Sequence, residues 1–157
     1  MASVNKSRLG KALLALGLSG ALVLGGSQLI APQEGEVHGT YLDSAGIVTS
    51  CFGHTGKELR LGQKFTHEQC DEQFAEDLIK HDEEMLQFIK VPFISDYEHA
   101  AVLSFCYNVG VSSCSKSTLF RKLNEGDHIA ACKQLAKWVY VQGKDCRLKE
   151  SNCGMIS

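Results

Sequence analysis

Glu34, Asp43 and Thr49 are the residues of this chain whose types and spacing suit chemistry on a glycosidic bond. Breaking such a bond takes a carboxylic acid that stays protonated near neutral pH and donates to the leaving oxygen. Burial against apolar groups produces such an acid. A second, ionised carboxylate then stabilises positive charge at the sugar carbon or activates water, and a nearby hydroxyl holds that water in place. Nine positions separate Glu34 from Asp43, and six separate Asp43 from Thr49. The same residue types also solvate surfaces and make turns, and Asp43 before Ser44-Ala45-Gly46 reads equally well as a turn residue. Glu36 is the nearest rival acid, but it breaks the nine-residue interval.

The elements that must position these groups follow from the local pattern. Thr40-Tyr41-Leu42 and Ile47 to Phe52 are β-prone runs joined by Asp43-Ser-Ala-Gly46, which predicts a hairpin. Gly53-His-Thr-Gly56 then turns the chain out of it. Thr66-x-x-Gln69 is a capping box that opens a helix to about Ile89, with Cys70, Phe74, Leu78, Met85 and Ile89 near one face. Ser95 caps a second helix through Tyr107, stopped by Gly110. A short third helix carries Leu119, Phe120 and Leu123. Asp127 caps a fourth with Ile129, Cys132, Leu135, Ala136 and Val139. The expected class is α+β, with a small β-hairpin lobe, a larger helical lobe and a cleft between them suited to an extended polymer.

The first 31 residues are different in kind. They hold three of the 16 Lys and Arg (Lys6, Arg8, Lys11) and none of the 18 Asp and Glu. Ala12 to Ala31 are twenty residues without charge, long enough to span a bilayer as a helix, and the cationic flank keeps the N-terminal end in the cytoplasm. Ser27-Gln28-Leu29-Ile30-Ala31-Pro32 is a poor cleavage site, which argues for a retained segment over a cleaved leader. Gly17, Ser19, Gly20, Ala21, Gly25, Gly26 and Ser27 make it only weakly apolar. The expectation is a signal-anchor over residues 1–31, able to leave the inner membrane, followed by a catalytic domain over 32–157 that faces the periplasm.

Export suits the seven cysteines. Cys146 and Cys153 bracket a short polar stretch and are candidates for a local disulfide, while Cys70, Cys106 and Cys132 fall on apolar helical faces as expected buried thiols. No C-x2-C occurs and the six histidines are scattered along the chain, so no metal and no cofactor are expected. The acidic body lacks the basic face that nucleic acid requires.

The hairpin sequence resembles the active site of phage-type lysozymes (endolysins). The resemblance rests on Glu34-Gly35, Tyr41-Leu-Asp43, Gly46-Ile-Val-Thr49 and Gly53-His54. It continues through Phe105 to Gly110, Ser117 to Asn124 and Ala136-Lys-Trp138, and the N-terminal segment is similar to the signal-anchor-release segment of lambdoid endolysins. The resemblance implies a monomeric muramidase that cleaves the β-1,4 bond between N-acetylmuramic acid and N-acetylglucosamine of peptidoglycan in host-cell lysis. It implies Glu34 as general acid, with Asp43 and Thr49 positioning water or stabilising the transition state, and inversion at the anomeric carbon. Tyr107, Asn108 and Ser117 are candidates to line the sugar cleft, against packing and capping roles. His54 is expected to hold the hairpin through a carboxylate or backbone contact, and Trp138 to lie in the core.

Relatives continue beyond the Cys153 region with a basic helix, so a C-terminally truncated domain is expected. The alternative reading is a catalytically impaired prophage remnant, a membrane-tethered peptidoglycan-binding protein. A zinc amidase or peptidase would require clustered His or Cys ligands.

Overall fold

The computed structural model describes residues 4–141, with side chains to Ala136. Helix α1 (Lys6–Ala15) starts at Asn5, whose side chain accepts the Arg8 N–H. The chain turns at residues 16–19, and Ser19 caps the next helical start by accepting from Leu22 N. From there α2 (Gly20–Leu24), a π-helical turn (Gly25–Ile30) and α3 (Ala31–Glu34) follow without leaving helical backbone angles. The widened turn lies just before Pro32, whose ring and missing N–H disfavour an ordinary α-helical turn.

The segment expected as one anchor helix over residues 12–31 is therefore two helical pieces here, broken where Gly17 and Ser19 favour a stop and a new cap. Among the described residues no helix is long and apolar enough to cross a membrane. Instead Leu9, Leu13, Leu22 and Ile30 enter the same core as Phe74, Leu78, Val102 and Leu103. At about 2 kcal/mol for each buried aliphatic side chain, these four contribute about 8 kcal/mol, comparable to the net stability of a small domain. The small residues of the segment allow this packing. A Cβ on Gly26 would lie 2.6 Å from Leu78 Cδ1, and one on Gly25 would press on the Ala100 backbone. Buried Ser27 donates to Val23 O at 2.7 Å, so its hydroxyl needs no water.

Strand β1 (Val37–Leu42) pairs antiparallel with β2 (Val48–Cys51), in register Thr40↔Ser50, Tyr41↔Thr49 and Leu42↔Val48. The Asp43 to Gly46 turn closes as expected, since Asp43 Oδ1 accepts from both Ala45 N and Ile47 N. The exit from the hairpin is a third strand, β3 (His54–Thr55), paired with β2, so the sheet has three strands in the order β1-β2-β3. Residues 63–65 run along the free side of β1, with Thr40 N donating to Gln63 O and Phe65 N to His38 O.

The helical lobe begins with α4 (His67–Leu86), opened by the complete Thr66/Gln69 capping box and ending three residues before the expected Ile89. Next come α5 (Asp96–Val109), α6 (Val111–Ser115), α7 (Thr118–Asn124) and α8 (His128–Val141). Helix α6 is too short and polar to show periodicity in sequence. It is tied down by the Cys106–Cys114 disulfide. A second disulfide, Cys51–Cys70, joins β2 to α4. These bonds correct the expectation of buried thiols at Cys70 and Cys106; Cys132 is buried as expected. Ile129, placed on the buried face of α8 by pattern, is 68% exposed. Cys146 and Cys153 lie outside the described residues, as does the side chain of Trp138.

Candidate functional site

Glu34 is the last residue of the helical run 20–34, and Gly35 (φ +75°) ends that run and turns the chain into β1. The carboxylate of Glu34 faces Gly53 in the turn between β2 and β3. There a Cβ would stand 2.7 Å from Oε2 and 3.2 Å from Cδ. Gly53 thus serves twice, through a left-handed backbone (φ +80°) and through the space its missing side chain leaves for the acid. Burial holds the Glu34 carboxyl above the ordinary glutamate range, because desolvation disfavours the charged form.

Asp43 sits half-buried at the hairpin turn with Oδ1 engaged by two backbone N–H groups. Thr49 is 3% exposed on β2, and its hydroxyl donates to Ile47 O at 2.9 Å. Tyr41 is the link that sequence reasoning left out. It is the cross-strand partner of Thr49 and lies two residues before Asp43, hence on the same face of β1. Its phenol is pushed up first by burial, then by the charges of Glu34 and Asp43, so both carboxylates act on one ring. The alternation Tyr41-x-Asp43 was the available signal.

The other candidate site residues lie on or beside the helices of the larger lobe. Tyr107 is half-buried, its ring 4.3 Å from that of His81 and edge-on to Phe74 at 6.3 Å. Its phenol is pushed far up by burial, with further contributions from the charges of Asp77 and Glu34. Asn108 is exposed near the end of α5. Ser117 instead caps α7, accepting from Phe120 N while donating to Cys114 O at 2.6 Å. His54 bridges Asp77 (2.9 Å) and Glu58 (2.9 Å), fastening β3 to α4. Burial works against charge on the His54 ring, but the hydrogen bonds to Glu58 and Asp77 outweigh it and raise its proton affinity.

Glu36 is not a competing acid at this centre. It is 6% exposed, with Oε2 shared between His38 Nε2 (2.7 Å) and His67 Nδ1 (3.1 Å) and Oε1 lying 3.9 Å from Arg8. The histidines read as scattered in sequence are therefore partly gathered by the fold, with the His38 and His67 rings 4.1 Å apart.

A helical lobe beside a small three-stranded sheet is the layout of a lysozyme-like fold. The phage lysozyme family model matches residues 31–150, and the chain belongs to that family, a group of muramidase-type glycoside hydrolases that act on peptidoglycan. The SAR-endolysin of Escherichia phage 933W is 37% identical over 151 residues, covering 93% of this chain and 84% of that protein. The SAR-endolysin of bacteriophage PS119 is 40% identical over 111 residues, which are 71% of this chain and 66% of that protein, just under two thirds of its length. Among solved structures, the endolysin from Escherichia coli O157:H7 phage FAHEc1 matches with TM-score 0.64 and 29% identity, covering 73% of each chain. The active form of the P1 phage endolysin Lyz matches with TM-score 0.75 over 88% of this chain and 83% of that one; at 19% identity it speaks for the fold alone.

Proposed function

We propose that the chain cleaves the β-1,4 bond between N-acetylmuramic acid and N-acetylglucosamine in peptidoglycan, as the hydrolase of host-cell lysis. Glu34 is the general acid, and Asp43 and Thr49 place the attacking water or stabilise the charge that develops at the sugar carbon. The observation that carries this reading is the half-buried Glu34 carboxyl, seated against Gly53 of the hairpin exit and held above the ordinary glutamate range by desolvation. With Asp43 on the hairpin it offers the two carboxyl groups that the reaction requires, one of them in surroundings that favour its protonated form. Tyr107 and Asn108 line the sugar cleft, whereas the capping bonds of Ser117 favour a structural role.

Residues 12–31 hold the chain in the inner membrane before release, with the body in the periplasm, and the enzyme acts there once the segment has left the bilayer. The uncharged twenty-residue run and its cationic flank support this, as do relatives named as SAR-endolysins. Only Pro32 and Gln33 separate Ala31 from Glu34. A segment in lipid would therefore keep Glu34 at the membrane surface and leave the core without Leu13, Leu22 and Ile30, so the division at residue 31 describes the embedded form.

The test is turbidity loss of outer-membrane-permeabilised cells with wild type, Glu34→Gln and Thr49→Val, together with product analysis for new reducing ends. Glu34→Gln is expected to lose at least 100-fold, since general acid catalysis contributes roughly 10²–10⁴. Thr49→Val, which keeps shape but drops the hydroxyl, is expected to lose about 10-fold or more in an intact fold. Clearing by Glu34→Gln at the wild-type rate contradicts the role of Glu34, and full activity of membrane-embedded chain contradicts the gate.

A further inference from the structure

We propose that Glu36, His38 and His67 form a binding site for one divalent transition-metal ion of the zinc class, which clamps β1 to the start of α4. The three ligand atoms, Glu36 Oε2, His38 Nε2 and His67 Nδ1, all lie within 4.8 Å of one another. The distances from the carboxylate oxygen to the two ring nitrogens are 2.7 and 3.1 Å. Around a tetrahedral zinc ion with bonds near 2 Å, neighbouring ligand atoms stand about 3.4 Å apart. Both carboxylate–nitrogen distances lie within about 0.7 Å of that spacing.

The scaffold is rigid where it must be and open where the ion enters. Glu36 is buried, and His38 follows it by two residues on an extended chain, so both side chains project from one face. The bond from Phe65 N to His38 O and the complete capping box at Thr66 set His67, the first residue of α4, against β1. One turn further along α4, Cys70 is joined to Cys51 of β2. The histidine side chains remain 41% and 53% exposed, which leaves an entry path and room for water as a fourth ligand. Two imidazoles and one carboxylate favour zinc, nickel or copper over magnesium or calcium, which prefer all-oxygen sets. Glu36 Oε1 lies on the Arg8 side, so metal on Oε2 and guanidinium on Oε1 engage different oxygens of the same carboxylate.

The experiment is calorimetric titration of the purified full chain, disulfides formed, with ZnCl2, paired with thermal unfolding in ZnCl2, MgCl2 or EDTA. The expected result is one equivalent of Zn²⁺ bound at micromolar concentration, a higher Tm in Zn²⁺ than in EDTA, and no shift with Mg²⁺. His38→Ala and His67→Ala should each weaken Zn²⁺ at least tenfold, and the double variant should show the same Tm in Zn²⁺ as in EDTA, whatever stability it loses by leaving Glu36 without its histidine partners. His38→Gln and His67→Gln, which keep a polar partner for Glu36, should give the same loss if the alanine variants fold poorly. Unchanged Zn²⁺ affinity in the double variant overturns the proposal, because other groups such as cysteine then hold the ion. Absence of saturable binding to wild type at 1 mM ZnCl2 (about the weakest affinity of a specific site) overturns it equally. None of these readouts depends on glycan hydrolysis.

Discussion

Replacing Gly53 with alanine separates two effects that usually travel together, loss of stability and loss of an active geometry. The alanine Cβ would stand 2.7 Å from Glu34 Oε2 and 3.2 Å from Cδ, and the backbone there has φ +80°. Ordinary contact is about 3.4 Å or more, so the carboxylate must retreat by about 0.7 Å. Glu34 can do so cheaply for the fold, because what yields is the tip of a rotatable side chain. The stability cost is then the left-handed alanine alone, about 1–2 kcal/mol, or a Tm lower by roughly 3–8 °C. The catalytic cost is larger, since misplacing a reacting group by about 1 Å costs roughly 10²-fold. Clearing of permeabilised cells, measured well below the Tm, should fall about 100-fold. Gly126→Ala is the control, with nearly the same backbone (φ +82°) and nothing within 4 Å of the added carbon. It should show a similar Tm loss and retain activity. Gly53→Ala with activity within threefold of Gly126→Ala would falsify the placement of Glu34 as the acting acid.

Four further predictions concern the Glu34 carboxyl and two tertiary links. Activity should fall as pH rises through the elevated Glu34 value, because the general acid must be protonated; Glu34→Gln should abolish that limb in a pH–rate profile. The same carboxyl makes the folded state bind its proton more tightly than the unfolded chain. Its contribution to stability is therefore lost as pH rises from the ordinary glutamate value through the raised one, a slope that Glu34→Gln should flatten in unfolding experiments. Arg8 donates to both oxygens of Asp71 at 2.8 and 3.1 Å, and Asp71 is 4% exposed, so Arg8→Gln strands a buried carboxylate. With Arg8 itself about a third exposed, the expected loss is about 2 kcal/mol by denaturant titration, and an unchanged midpoint refutes the latch. Opening the Cys51–Cys70 bond by the Cys51→Ala/Cys70→Ala double variant should cost about 3 kcal/mol for a loop of 19 residues, again read from the denaturant midpoint.

Much of the hairpin that carries Asp43 and Thr49 is legible in the residues because its information is local. Asp43-Ser-Ala-Gly46 carries its own turn chemistry, Thr66 and Gln69 cap each other within one helical turn, and the 34, 43, 49 intervals lie along consecutive elements. The third strand was not legible, because His54-Thr55 is too short to show alternation and gains its pairing only from β2. Tyr41 was overlooked for a related reason. Its pairing with Thr49 and the charge of Glu34 on its phenol arise only once the sheet and the end of α3 are assembled.

What the sequence by itself determined is therefore the family, the spacing of Glu34 from the hairpin with its Asp and Thr, and the order of the main helices, all written along short stretches of chain. The tertiary structure alone decided the pairing of Cys51 with Cys70 and of Cys106 with Cys114, the meeting of His38 with His67 around Glu36, and the approach of Gly53 to Glu34. It also decided the place of residues 12–31 in this form. An uncharged, glycine-rich run has no local feature that distinguishes lipid from a protein core, since both reward burial of the same apolar side chains. The choice is made by what lies opposite: Gly25 and Gly26 fit against Ala100 and Leu78, and Arg8 finds Asp71 only after the chain has folded.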